Sequence, residues 1–194
     1  MNFNLIPFLT YVIVTAGTPG PNNITSMSNA SRLGLKKSYP FNLGIWVGFS
    51  IVAILCTIFV SLLSSLIPKI KVAMLIVGAV YMLYLAWKTF KSSGDIEESH
   101  SSANFFSGLF LQFINAKIYI YCIVSMQVYI LPYYGGQLLP LFGFAIMLAT
   151  IGFLFTLLWA VFGSVFKLLF SKHAKLVNTI MALLLVYCAI SLFL

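Results

Sequence analysis

The sequence predicts an all-α membrane protein with six transmembrane helices, and three observations lead to this prediction. Of the 194 residues, 61% are hydrophobic and only 7% are charged, and the mean hydropathy of +1.05 is far above that of soluble domains. Six apolar windows are each long enough to cross about 30 Å of hydrocarbon at about 1.5 Å per residue. A proline-rich hexapeptide interrupts the first window.

The six windows cover residues 4–30, 41–67, 72–90, 105–131, 138–165 and 176–194. The connections between them are short, so the whole chain, residues 1–194, is predicted to form a single transmembrane domain. The longest connection is a polar loop of about residues 91–104, which we expect on the cytoplasmic side. This loop holds every acidic residue of the chain: Asp95, Glu97 and Glu98.

The first predicted helix is broken at Pro19-Gly20-Pro21, inside a Thr-Pro-Gly-Pro-Asn-Asn sequence. Each proline lacks an amide hydrogen, its ring clashes with the preceding turn, and the residue before it is pushed out of the α region. Backbone freed in this way at membrane depth needs protein or a watery cavity around it, so the break predicts a substrate site. A packed kink without a binding role is the alternative interpretation.

Lys117 is the one charged residue that lies deep inside a predicted helix. It is about 13 residues from either end of the fourth window, which places it roughly 20 Å from each interface. An ammonium group at that depth costs about 2.5–3.5 kcal/mol and therefore needs a partner. Since no window contains an acid, we expect the partner to be a ligand carboxylate or the freed carbonyls of the break. A purely structural lysine, held by carbonyls alone, remains the alternative.

The two ends of the break predict complementary binding groups. The half-helix that starts near Pro21 presents unpaired amides at its positive end, which suits an anion. The half-helix before it ends in carbonyls such as those of Val14 and Thr15, which suit an ammonium group. A small zwitterion matches both, and the predicted substrate-binding residues are Lys117, Asn115, Asn22, Asn23, Thr18 and Gln112.

The two halves of the chain predict inverted three-helix repeats, of about residues 1–92 and 104–194. At an offset of 98 residues the first break faces Asn115-Ala116-Lys117, and three helices per half require the halves to insert in opposite orientations. Eight lysine and arginine residues near helix ends fall on one side and two on the other. By the positive-inside rule the eight-charge side is cytoplasmic and both termini are outside.

Several functional classes are excluded. The basic residues lie mostly near the ends of the apolar windows and form no stripe interleaved with aromatic residues, so nucleic acid is not expected as a partner. No window contains Asp, Glu or His, so no catalytic residue is assigned. No metal-ligand spacing and no phosphate-binding loop occur, so we expect neither a metal nor ATP as the energy source. A passive channel with an anion-selective constriction remains an alternative.

The sequence resembles the LysE/RhtB family of amino-acid exporters over essentially the whole chain, and three stretches carry the resemblance. They are residues 10–24 with Thr-Pro-Gly-Pro-Asn-Asn, residues 111–118 with Phe-Ile-Asn-Ala-Lys, and residues 182–189. They look most like the branch that exports cysteine and O-acetylserine. The resemblance implies efflux of small neutral amino acids across the bacterial inner membrane, driven by ion or proton exchange and without a cofactor. Threonine and homoserine are alternative substrates. The lipid bilayer is the expected surrounding, and a homodimer is compatible with the resemblance.

The chain departs from the family pattern at two points. Many members carry Asn-Pro-Lys in helix 4, where this chain has Asn115-Ala116-Lys117, so we expect helix 4 to be less sharply broken. Several relatives carry an aspartate in helix 5, whereas residues 150–154 contain no acid. A transported proton would then have to travel on Lys117 or on the amine of the substrate.

Overall fold

The computed structural model describes residues 3, 5–62, 76, 79–80, 83–84, 86–87, 90–91, 103–165 and 173–191. All regular secondary structure in these residues is helical, which agrees with the predicted all-α class. The helices are α1 (Leu5–Gly17), α2 (Pro21–Leu33), α3 (Leu35–Leu62), α4 (Phe105–Ile114), α5 (Ala116–Val124), α6 (Leu131–Tyr134), α7 (Leu138–Val165) and α8 (Ala174–Ser191), and a π-helix (Ser125–Ile130) joins α5 to α6.

Two helices, Leu35–Val60 within α3 and Leu138–Val165, are long and apolar enough to cross a membrane. The pair Phe105–Ile114 and Ala116–Tyr134 qualifies as a third, bent span. These three correspond to the second, fifth and fourth predicted windows. The polar loop of about residues 91–104 lies mostly outside the described residues, and the arrangement of six helices as inverted repeats stays a prediction.

The prolines lie between two helices. α1 ends at Gly17, Thr18 to Gly20 are not helical, and α2 begins with Pro21 as its first residue. Proline suits this position because the first amide of a helix has no intrahelical partner. α1 is apolar but only 13 residues long. The prediction that α1 and α2 cross the membrane together as one broken helix is not decided by these boundaries.

A second interruption lies at Asn115, between α4 and α5. Asn115 has extended backbone angles (φ −82°, ψ 93°), and its Oδ1 accepts a hydrogen bond from the backbone N–H of Lys117 at 3.2 Å. The helices on either side are bent by 64°. An asparagine N-cap ends one helix and starts the next without a proline, and the expectation that this break is less sharp than in relatives with Asn-Pro-Lys stays a prediction.

Glycines bring α3 and α4 together backbone against backbone. A Cβ on Gly44 would collide with the Phe105 carbonyl, and one on Gly48 would lie 2.6 Å from the Leu109 carbonyl oxygen. From the other side, a Cβ on Gly108 would collide with the Phe41 carbonyl. Gly44, Gly48 and Gly108 thus allow the two helix backbones to approach closely, as small residues do between membrane helices.

The main apolar core lies between α1, α3, α5, the π-helix and α7. In contrast, α2 carries mostly polar residues and is still buried at nine of its 13 positions. It packs against α7, where a Cβ on Gly163 would collide with the Met27 carbonyl. Gly34, at a positive φ of 81°, makes the turn from α2 into α3. The result is a polar helix held inside an apolar bundle, with its first residues at the break.

Candidate functional site

A small cavity of about 40 Å³ lies where α2 and α5 begin. This volume holds a few water-sized groups. The cavity therefore lies between the two helix interruptions. Its lining residues are Thr15, Ala16, Gly20, Pro21, Asn22, Asn23, Phe49, Asn115, Lys117, Ile118, Tyr121, Gly152 and Thr156.

The Lys117 ammonium group lines this cavity and holds the backbone between α1 and α2. Its Nζ donates to the Thr18 carbonyl oxygen at 2.8 Å, to Thr18 Oγ1 at 3.0 Å and to the Pro19 carbonyl oxygen at 3.3 Å. These carbonyls are one of the two kinds of partner that the sequence predicts for this lysine. They offset part of the cost of placing an ammonium group among apolar helices.

The side chain of Lys117 passes directly over Gly20. A Cβ on Gly20 would lie 2.9 Å from Lys117 Cδ and 3.1 Å from its Nζ. The backbone of Gly20 is extended (φ −174°, ψ 174°), a conformation that any residue can adopt. Glycine is therefore required here to leave room for the lysine, and not for its conformational freedom.

The carbonyls of Val14 and Thr15 are already engaged within the protein. The Val14 carbonyl accepts from the backbone N–H of Thr18 at 3.0 Å, and the Thr15 carbonyl accepts from the Thr18 hydroxyl at 2.9 Å. The sequence predicts these two carbonyls as open partners for an ammonium group. Each keeps only its second lone pair for that purpose.

Two side chains from other helices donate hydrogen bonds to the carbonyls at the end of α1. Asn23 Nδ2 donates to the Ala16 and Thr18 carbonyls, each at 2.9 Å. The indole Nε1 of Trp159, on α7, donates to the Gly17 carbonyl at 3.2 Å. Sequence reasoning treats this tryptophan as a packing or interfacial residue, and the hydrogen bond to the break is an addition to that role. The break is thus held from α2, α5 and α7 together.

The beginning of α2 presents amide groups to the cavity. The first backbone bond of the helix is from the Ile24 N–H to the Gly20 carbonyl, at 2.9 Å. Among the described residues no side chain caps this end, so the N–H groups of Asn22 and Asn23 remain at the positive end of the helix dipole. This agrees with the anion-binding end that the sequence predicts.

The predicted residues Asn22, Gln112 and Asn115 form one buried amide network. Asn22 Nδ2 donates to Gln112 Oε1 at 2.8 Å, and Asn22 Oδ1 accepts from Gln112 Nε2 at 3.2 Å and from Asn115 Nδ2 at 3.1 Å. Gln112 also donates to the Gly108 carbonyl and is completely buried. Gln112 and Thr18 are absent from the cavity lining. Their contacts tie the two breaks together.

Sequence reasoning did not assign six residues that line the cavity: Ala16, Phe49, Ile118, Tyr121, Gly152 and Thr156. Phe49 and Tyr121 meet edge to face at 5.7 Å between ring centroids. A Cβ on Gly152 would collide with the Phe49 ring. The one available signal was Thr156, a buried polar side chain in an otherwise apolar helix. The aromatic and glycine positions become visible only when α3, α5 and α7 are packed.

Across the described ranges, no cluster of three or more His, Cys, Asp or Glu residues could hold a metal ion. The ionic group in the cavity is the Lys117 ammonium, surrounded by amides, hydroxyls and aromatic rings. The fold and the site together define a class: a helical membrane protein with a small cavity, lined by one lysine, amides and aromatic rings, between two helix interruptions.

The chain belongs to the LysE family. The family described as "LysE type translocator" matches residues 13–194. The predicted family resemblance is therefore confirmed, and it extends from the middle of α1 to the last residue.

The curated relatives are similar over nearly their whole length. The "Cysteine/O-acetylserine efflux protein" of Klebsiella pneumoniae subsp. pneumoniae is 37% identical over 184 residues, which cover 94% of this chain and 93% of the relative. Proteins of the same name from Salmonella choleraesuis and Escherichia coli K12 are 37% and 35% identical over 190 residues, with 97% of both chains covered. No solved structure matches the chain.

Proposed function

We propose that this protein is a secondary transporter that exports small neutral amino acids, cysteine and O-acetylserine foremost, from the bacterial cytoplasm. The names of the relatives support the substrate class, and the chemistry of the cavity supports it independently. The observation that carries the proposal is the Lys117 ammonium group beside the open end of α2 in one cavity between two helix breaks.

The carboxylate of an amino acid would bind at this positive corner. Lys117 supplies a full charge, and the N–H groups of Asn22 and Asn23 supply the positive end of the α2 dipole. Both are directed at the same cavity. Charge-assisted hydrogen bonds of this kind contribute roughly 1.5–3 kcal/mol each.

The amine would bind on the opposite wall. Thr156 Oγ1 donates to the Phe153 carbonyl at 2.7 Å, so its lone pairs remain available to accept from an ammonium group. Phe49 and Tyr121 add aromatic rings, which attract a cation that lies over their faces. No acidic side chain is needed, and the proposed site therefore favours substrates that are zwitterions over substrates with a net positive charge.

Binding would change the contacts of the break itself. Lys117 Nζ donates to at least three acceptors, two on Thr18 and one on Pro19, which is as many as its ammonium group has protons. A carboxylate that pairs with Lys117 must share or replace one of these bonds. Substrate binding would thus loosen the tie between α5 and the end of α1, which is the step that alternating access requires.

The proposed setting is the cytoplasmic membrane, with both termini outside. α7 has no acidic residue, so a proton exchanged for substrate would travel on Lys117 or on the amine of the substrate. The proposal does not depend on proton coupling, since the site only requires that a zwitterion can bind from either side.

The test uses purified protein in liposomes. Vesicles loaded with unlabelled cysteine should accumulate labelled cysteine transiently by counterflow, with saturation and with competition by O-acetylserine. Threonine, homoserine, lysine and leucine complete the panel, with and without an imposed pH gradient. Flux that does not saturate and shows no counterflow would identify a passive channel and contradict the proposal. Counterflow restricted to threonine and homoserine would leave a carrier with a different substrate.

A further inference from the structure

The helix α2 is polar but buried. Its buried residues include Asn22, Asn23, Ser26, Asn29 and Ser31. A polar helix inside an apolar bundle is expensive unless its side chains have hydrogen-bonding partners, or unless water reaches them. The partners of Asn22 and Asn23 are at the break, as described above, which leaves the residues farther along the helix to be explained.

Asn22, Ser26 and Asn29 lie on one face of α2. Residues separated by four and three positions are neighbours on a helix surface, so the three form a line of about 10 Å at about 1.5 Å per residue. Asn22 lines the cavity, and its side chain points towards Gln112 and Asn115. The same face therefore leads away from the cavity towards Arg32, in the last turn of α2.

The Ser26 hydroxyl is completely buried and has no hydrogen-bond partner among the described residues. Other hydroxyls in the helices satisfy themselves by donating to their own backbone one turn earlier, as Ser50 does to Trp46, at 2.8 Å, and Thr57 to Ala53, also at 2.8 Å. A buried hydroxyl without a partner costs about 1–3 kcal/mol. Its position on the polar face of α2 is explained if water or a polar solute reaches it.

A second buried polar atom, Oδ1 of Asn42, also lacks a hydrogen-bond partner among the described residues. Asn42, on α3, donates through Nδ2 to the Ser38 carbonyl at 3.2 Å, but its Oδ1 accepts no hydrogen bond within the described part of the chain. Both Asn42 and Ser38 are buried, and α3 packs against α2. Unsatisfied polar atoms thus occur on both helices that follow the first break.

Towards the beginning of α1, aromatic rings bound the cavity in place of the polar face of α2. Tyr121, in the lining, stacks on Tyr11 at 6.3 Å between ring centroids, and Tyr11 stacks on Tyr129 at 5.7 Å. Phe8 continues the series at 5.9 Å from Tyr129. This aromatic stack, Tyr121, Tyr11, Tyr129 and Phe8, fills the space between α1, α5 and the π-helix. One buried hydroxyl without a partner, that of Ser125, lies at the start of the π-helix, but no line of polar side chains like that of α2 continues from it among the described residues.

We propose that an aqueous path runs from the cavity along Asn22, Ser26 and Asn29 to the Arg32 end of α2, and that the aromatic stack closes the other end. The path admits water and small zwitterionic amino acids, and Ser26 is its first polar contact beyond the cavity. The substrate part of this inference rests on the proposed export function. The water-access part does not, because it follows from the burial and the missing partner of Ser26.

The test is thiol labelling of single-cysteine variants of the full chain in proteoliposomes, with Cys56, Cys122 and Cys188 replaced by alanine. Ser26→Cys and Asn29→Cys should react with a membrane-impermeant cationic methanethiosulfonate reagent. The matched controls are Ile24→Cys and Met27→Cys, on the same helix. Their native side chains are as deeply buried, in an apolar cluster with Ala86, Ala182 and Leu185.

We expect Ser26→Cys and Asn29→Cys to react at least tenfold faster than both controls, and excess O-acetylserine, which has no thiol, to slow the reaction. Equal rates for all four variants would overturn the path. Ser26→Cys retains the shape of serine, and Asn29→Cys gives a second, independent position. Labelling does not require transport, so fast labelling in a protein without counterflow would retain the path and reject the export function.

Discussion

Gly20 and Lys117 depend on each other at the centre of the cavity. The lysine stem occupies the space where any other residue at position 20 would place its Cβ. Its ammonium group donates to the carbonyls of Thr18 and Pro19. A small change at position 20 therefore contacts the lysine side chain and displaces the charge of the site.

Gly20→Ala should weaken substrate binding while the protein still folds. The new methyl group would lie 2.9 Å from Lys117 Cδ, and the flexible lysine stem can move away, which shifts the ammonium group from its acceptors. We expect a fall of roughly tenfold in affinity, about 1.4 kcal/mol, measured by competition in the counterflow assay. The control is Gly143→Ala on α7, where a Cβ meets nothing within 4 Å. Equal affinities in the two variants would contradict the proposed contact.

Lys117→Met should remove the carboxylate partner and keep most of the apolar stem. Substrate affinity should fall by about 1.5–3 kcal/mol, or roughly 10- to 150-fold. Wild type should strongly prefer cysteine over cysteamine, which lacks the carboxylate, and the variant should lose most of this preference. Lys37→Met, at an exposed position outside the cavity, is the matched control. Retention of the full preference in Lys117→Met would make the lysine structural.

The helical elements are organised by their interruptions. α1 and α2 are separated by two prolines, whereas α4 and α5 are separated by an asparagine that caps the second helix with its side chain. The two breaks are joined through the amide network of Asn22, Gln112 and Asn115. The charged and amide groups of the site therefore come from helix ends, whereas Phe49, Gly152 and Thr156 come from the faces of α3 and α7.

Replacing Pro19 and Pro21 together by alanine should preserve insertion and reduce transport strongly. Both new residues have an amide hydrogen and tolerate α geometry, so α1 and α2 can join and withdraw the Thr18 and Pro19 carbonyls from Lys117. Yield and monodispersity in detergent report folding, and counterflow reports transport. Pro7→Ala, in the exposed first turn of α1, should leave both unchanged. Normal counterflow in the double variant would show that the prolines only kink a packed helix.

The whole molecule is oriented, in our interpretation, by its basic residues. α7 is the best element for a test because it is long and apolar, and the described residues extend past both of its ends. His173 lies beyond its carboxyl end near Lys172 and Lys175, and Gln137 precedes its amino end. Both residues are exposed.

In a cysteine-free background, His173→Cys should be labelled from the cytoplasmic side and Gln137→Cys from the outside. The reason is the excess of lysine and arginine, eight against two, on the His173 side. Intact cells and inverted membrane vesicles, treated with an impermeant maleimide, provide the measurement. Reversed labelling would place the termini in the cytoplasm and would reverse the direction of the proposed aqueous path.

Much of the site could be predicted because its chemistry is local in the sequence. Two prolines must end a helix wherever it packs, and a lysine in an apolar window must find acceptors. These rules gave Pro19, Pro21 and Lys117. In the structure Pro21 and Lys117 line one cavity, and the Pro19 carbonyl accepts a hydrogen bond from Lys117. The sequence predicts an interruption near Asn115 but not its angle, because it offers no proline there and the capping power of asparagine depends on a backbone conformation that only the structure shows.

The rest of the site depends on packing between distant segments. Phe49 and Gly152 lie on α3 and α7 and meet only because the glycine has no side chain. Gln112 carries the same kind of group as Asn22, which suggested a shared ligand, but the two amides bind each other. Complementary side chains can satisfy one another as well as a substrate, and the sequence does not distinguish these outcomes.

The two breaks differ in one respect that bears on motion. Residues 19–21 include two prolines, so no conformation of the chain can carry a regular helix from α1 into α2. Asn115 and Ala116 each retain an N–H group and have no ring. If the Asn115 side chain releases the backbone N–H of Lys117, α4 and α5 can therefore form one continuous helix. The first break therefore cannot become a continuous helix, whereas the second is a hinge that can. Straightening it would swing one half-helix through as much as the 64° that now separates them.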